Sequence, residues 1–93
     1  MDYKTVKIEG NLIFMDPLSR QHIKKLMNSN EKYVELDMGA IESMDSTGID
    51  MIAKLATALK KRGGKLKVIG VKKHIYDVME ICSMDKIAEV HPC

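Results

Sequence analysis

The stretch Met44-Asp45-Ser46-Thr47-Gly48-Ile49-Asp50-Met51-Ile52, carried on to Gly63-Gly64-Lys65-Leu66-Lys67-Val68-Ile69, decides the fold, because it holds a helix start, a helix, a stop and a strand in unbroken succession. Ile49, Ile52, Ala53, Ala56 and Leu59 recur at helical spacing and trace one apolar stripe, with Lys54, Lys60, Lys61 and Arg62 away from it. Small polar residues from Asp45 to Gly48 suit the start of that helix, and Gly63-Gly64 suits its end. Lys65-Leu66-Lys67-Val68-Ile69 then alternates as a strand does.

Working outward, Tyr33-Val34-Glu35-Leu36-Asp37-Met38 alternates in the same way, closes at Gly39 and feeds the helix through Ala40 to Met44. Ile75, Val78, Met79 and Cys82 mark a third helix, and Lys86-Ile87-Ala88-Glu89-Val90 reads as a last short strand. At the front, Thr5-Val6-Lys7-Ile8-Glu9 alternates, Gly10-Asn11 suits a hairpin turn and Leu12-Ile13-Phe14-Met15 follows as a second strand. Asp16-Pro17 stops it; Ile23, Leu26 and Met27 then trace a short first helix, capped by Ser19 and ending near Asn28-Ser29-Asn30.

Strands that alternate with helices need crossover connections, which lay helices against a parallel sheet, and the opening hairpin makes that sheet mixed. The expectation is an α/β domain: a mixed sheet of about five strands with three helices. With no repeat, low-complexity run or linker, residues 1–93 form one domain.

Composition narrows the function. A 93-residue domain has one core and little room for a deep cofactor cavity, so a large cofactor-dependent enzyme is not expected and no cofactor is assigned. The net charge of +2 divides into −2 over residues 1–45 (6 basic, 8 acidic) and +4 over residues 46–93 (9 basic, 5 acidic), too mild for nucleic acid. Lys60-Lys61-Arg62 with Lys65, Lys67, Lys72 and Lys73 reads as a solvated face, since no aromatic is interleaved for base stacking. Nothing matches a membrane span or a signal peptide, and the expected location is cytoplasmic. Cys82 and Cys93 make no disulfide framework and read as small buried or terminal thiols; with His22, His74 and His91 far apart, no metal site is expected. Several of the eight methionines, among them Met27, Met38 and Met79, fall at core positions.

No nucleophile elbow and no phosphate-binding glycine loop occurs, which leaves Met44 to Gly48 as the place for chemistry. One reading is a helix cap, with Thr47 and Asp50 as a pair resembling a capping box. The other is a hydroxyl at a helix mouth, within reach of a kinase, where a phosphate meets free amides. A third places Asp45, Ser46 and Asp50 around a magnesium-bound phosphate in a nucleotide-binding domain.

Met44-Asp45-Ser46-Thr47-Gly48 at the start of the second helix, followed by an apolar helix, a Gly-Gly stop and a strand, resembles the STAS domains of bacterial anti-anti-sigma factors. The resemblance spans Thr5 to Val90 and implies an anti-sigma factor antagonist, not an enzyme. It implies that Ser46 is phosphorylated by an anti-sigma factor that is also a serine kinase, that the unmodified form binds this partner and frees its sigma factor, and that a serine phosphatase reverses the switch. It places Asp16 in a loop beside that serine, and Asp45, Thr47, Gly48, Asp50 and Met51 on the partner-binding surface. The chain departs from the family at Asp50, where a small residue is usual; there, one turn after Ser46, a carboxylate would face the phosphate. It also stops at Cys93, without the C-terminal helix of many members, which is expected to leave an apolar patch open to association. An alternative within the same fold is a STAS module of a membrane transporter complex.

Overall fold

Alternation along the strands places Val34, Leu36 and Met38 on one side of the sheet, joined there by Leu66 and Val68, and all five are fully buried. The three helices contribute Ile23 and Leu26, then Ile52, Leu55 and Leu59, then Ile75 and Met79 to that same core, so they cover one face of the sheet. The computed structural model describes residues 3–8 and 17–92, with side chains from residue 20 onward in the second stretch. Its elements are β1 (Lys4–Lys7), α1 (Pro17–Met27), β2 (Tyr33–Asp37), α2 (Ser46–Lys61), β3 (Lys65–Val71), α3 (Lys73–Ile81), a 3-10 turn (Met84–Lys86) and β4 (Glu89–Pro92).

Among the described residues the sheet has four strands in the order β1-β2-β3-β4, every neighbouring pair parallel, where about five in a mixed sheet were expected. The antiparallel contribution was to come from Gly10-Asn11 and Leu12 to Met15, which lie outside the described residues. Three further boundaries differ from expectation. Helix α1 begins at Pro17, so Ser19 lies within its first turn instead of capping it; proline suits that first position because its missing N–H has no partner there in any case. Strand β3 runs on to Val71 through an irregularity between Val68 and Val71, made possible by Gly70 at φ +68°. The last strand starts at Glu89 rather than Lys86, because Ser83 in the left-handed region (φ 60°) opens a 3-10 turn that buries Met84.

The opposite face of the sheet is polar and internally paired. Thr5 Oγ1 donates to Glu35 at 3.0 Å, Lys67 lies 3.6 Å from Glu35 and 5.6 Å from the Tyr3 ring centroid, and Tyr3 meets Tyr33 edge-on. At the β4 edge a hydrogen bond from His91 at 3.0 Å, assisted by Lys65, holds the Glu89 carboxyl below its ordinary value.

Helix α2 ends in paired backbone bonds: Gly64 N donates to Leu59 O at 2.8 Å and Gly63 N to Lys60 O at 3.0 Å, with Gly63 at φ +81°. The two glycines have different reasons. Gly63 supplies the left-handed turn and faces open space, whereas a Cβ on Gly64 would sit 1.8 Å from Lys32 O. That approach lets Lys65 N reach Lys32 O at 2.9 Å and starts the β2–β3 register at Tyr33 and Lys65. Arg62, expected on a solvated face, is half-buried instead. Its guanidinium donates to Leu26 O (3.4 Å), Glu31 O (3.0 Å) and Met27 O, closing the C-terminus of α1.

Urea titration of three variants tests these joints. Gly63→Ala should cost about 1 kcal/mol, the left-handed penalty alone. Gly64→Ala should cost more, about 2–3 kcal/mol, because backbone must move. Arg62→Lys should cost about 1–3 kcal/mol, since one ammonium does not reproduce a fork shared by three carbonyls.

Candidate functional site

In a parallel sheet each strand delivers the chain to the same edge, and the helix that follows starts there, so ligand and partner sites gather at the carboxyl ends of the strands. Strand β2 ends at Asp37, and residues 38–45 carry the chain to the N-terminus of α2. That loop is held along its length. Met38 N donates to Ile69 O at 2.9 Å, Gly39 N to Asp37 Oδ1 at 2.9 Å and Ile41 N to Met38 O at 3.0 Å, while the Ile41 side chain is fully buried.

The neighbouring strand adds a second set of restraints. Lys72, directly after β3, donates to Gly39 O at 2.5 Å and lies 3.5 Å from the Glu42 carboxylate. His74 donates through Nε2 to Glu42 O at 2.8 Å. Two basic residues, Lys73 and His74, thus open α3, where the helix dipole disfavours positive charge. Lys72 and His74 are occupied in bonding the loop that leads to α2. Reading the sequence one element at a time missed both. The signal was available in the parallel register, which brings the residues leaving β3 beside those leaving β2.

Asp45 is the cap of α2: its side chain accepts from Gly48 N at 3.0 Å, with an extended backbone at φ −109°. Capping thus falls to Asp45, and the expected Thr47–Asp50 pair does not form, because Thr47 is already inside the helix. Asp50 pairs instead with Lys54 at 3.0 Å, one turn further on. Ser46, the first helical residue, is exposed, Thr47 is half-buried and Gly48 is buried.

Asp45, Ser46, Thr47 and Gly48 are thereby brought together at one corner, with Asp50 exposed on the same helix. Met51, expected as an exposed contact, is half-buried against the core. Asp16 lies outside the described residues. Of the cysteines, Cys82 is exposed rather than buried, because α3 turns only Ile75 and Met79 fully inward. No group of three or more metal-ligating side chains forms among the described residues, and no helix there is long and apolar enough to cross a membrane.

Comparison with known proteins agrees with this architecture. A candidate anti-sigma factor antagonist from Thermotoga maritima shares the fold with a TM-score of 0.77 at 17% identity, over 96% of this chain and 80% of that one. An anti-sigma-factor antagonist (STAS) domain protein from Planctomyces limnophilus does so with a TM-score of 0.73 at 12% identity, over 98% and 83%. At such identities the likeness is one of fold. No curated protein matches in sequence. The sequence profile of the STAS domain, however, matches residues 4–92, nearly the whole chain, and the chain belongs to the STAS domain family.

Proposed function

We propose that this STAS domain is an anti-sigma factor antagonist: it docks on an anti-sigma factor that is also a serine kinase, releases the sigma factor, and is switched by phosphorylation of Ser46. The observation that carries this reading is the division of labour at the start of α2. Asp45 holds the cap and leaves the Ser46 hydroxyl exposed at the first helical position. A serine needed for capping would be turned inward toward backbone amides; this one is presented outward.

The chemistry follows from position. Transfer of the γ-phosphoryl group of ATP to Ser46 Oγ, with loss of the hydroxyl proton and release of ADP, adds about −1.5 to −2 charge and three acceptor oxygens. The first-turn amides of α2 that the Asp45 cap does not take, together with the helix dipole, favour an anion there. Asp50 opposes it from one turn away, and its pairing with Lys54 at 3.0 Å offsets that opposition. A partner surface fitted to a neutral hydroxyl at this corner would meet a solvated dianion instead, so docking is lost without refolding. A serine phosphatase restores the unmodified form.

A STAS module of a transporter complex would have no need of this hydroxyl, so one substitution series separates the two readings. Incubation with the cognate kinase and ATP, followed by mass spectrometry, should add one phosphate to the wild type and none to Ser46→Ala; a phosphorylated Ser46→Ala, or an unmodified wild type, contradicts the switch. Ser46→Glu should weaken binding to the anti-sigma factor by at least tenfold in calorimetry, about 1.4 kcal/mol. Lys54→Ala should slow phosphorylation by leaving Asp50 uncompensated. Asp45→Ala should lower stability by about 1 kcal/mol through loss of the cap, a cost that Asp45→Asn largely avoids.

A further inference from the structure

Two large apolar side chains stand exposed among the described residues, and both are on α3: Val78 at 40% and Ile81 at 82%. They lie one turn apart on a strip of α3 that flanks the buried Ile75 and Met79, and Asp77 and Glu80 border Ile81. Helix α3 therefore carries an apolar knob with an acidic border.

Elsewhere on the helical layer, where α1 and α2 pack together, a shallow groove is lined by the apolar Met27, Ala53 and Ala58 and by Lys54, Thr57 and Lys61. Lys24 and Lys25 add positive charge in the last turn of the same α1. The knob and the groove are complementary in both respects, apolar to apolar and acidic to basic. Asp77 is engaged with Lys73 (3.7 Å) and Lys54 with Asp50 (3.0 Å) within the molecule. Glu80 and Lys61 enter no ion pair among the described residues and are available to each other across a contact. Within one molecule no ion pair joins these two among the described residues; α3 packs chiefly on the 3-10 turn and β4, and α1 packs on α2.

We infer that this chain associates head to tail with a second copy of itself, the Ile81 knob on α3 of one molecule seated in the α1–α2 groove of the next. The two surfaces differ, so the contact is heterologous and leaves one free knob and one free groove at the ends of every open assembly. One short helix face covering a shallow groove makes a small interface, and the association is accordingly weak and concentration-dependent. The groove occupies the C-terminal half of α2, from Ala53 to Lys61, about 10 Å or more along the helix from Ser46 at 1.5 Å per residue. Self-association thus leaves the phosphorylation corner open and stands independently of the proposed switch.

Sedimentation equilibrium of the full chain tests this. The wild-type weight-average mass should rise with protein concentration and fall back as salt is added. Ile81→Lys, which removes the knob, and Lys61→Glu, which reverses the groove, should each weaken association at least tenfold; both positions are exposed, and circular dichroism checks that the variants fold. An equimolar mixture of the two should form 1:1 dimers and nothing larger, since the first keeps its groove and the second its knob. A wild type of constant monomer mass, association that survives either substitution, or a mixture that stays monomeric would each overturn the inference.

Discussion

The close approach of Gly64 to the Lys32 carbonyl is the contact on which the rest of the arrangement depends. Because Gly64, in the turn that follows α2, has no side chain, the backbone leaving the helix reaches the start of β2, and Lys65 N bonds Lys32 O at 2.9 Å. From there β3 runs beside β2 in parallel, Tyr33 against Lys65 through Asp37 against Ile69. The far ends of both strands then emerge side by side. Lys72 can reach Gly39 and Glu42, and His74 can reach Glu42, because of a register set at the opposite end of the sheet.

That chain of constraints reaches the proposed functional corner. The loop carrying the chain from Asp37 to Asp45 is bonded from its own strand, from β3 and from α3, and it is anchored beneath by the buried Ile41. It delivers Asp45 in the extended conformation a cap requires, and the cap frees Ser46 to face outward. A site of this kind needs no pocket. In the proposed switch, specificity lies in the shape and charge of a rigid surface, where one covalent change alters a partner's fit while the scaffold stays as it is.

Much of this was legible in the residues. The apolar stripe from Ile49 to Leu59, the polar start at Asp45 to Gly48 and the stop at Gly63-Gly64 bracketed α2, observed from Ser46 to Lys61, because each signal acts locally and all agree. The core positions of Met38 and Met79 followed from alternation and helical spacing. What escaped depends on distant neighbours. Arg62 looked like part of a basic face, yet it closes α1 through carbonyls more than thirty positions away in the chain. Val78 shares the spacing of the α3 stripe but faces outward, since α3 is short and its inner face is filled by Ile75 and Met79. The start of β4 was displaced by the left-handed Ser83, a conformation that a serine does not announce.

The account rests on Ser46 being displayed by a scaffold that its modification does not disturb. Amide hydrogen exchange of the Ser46-phosphorylated chain, compared residue by residue with the unmodified one, tests this most directly. The account predicts changed protection only around residues 44–50, with the amides of β2, β3 and the later turns of α2 unaltered. Loss of protection spreading through α2 or the β2–β3 pair would mean that the switch works by unfolding the site, and would contradict it.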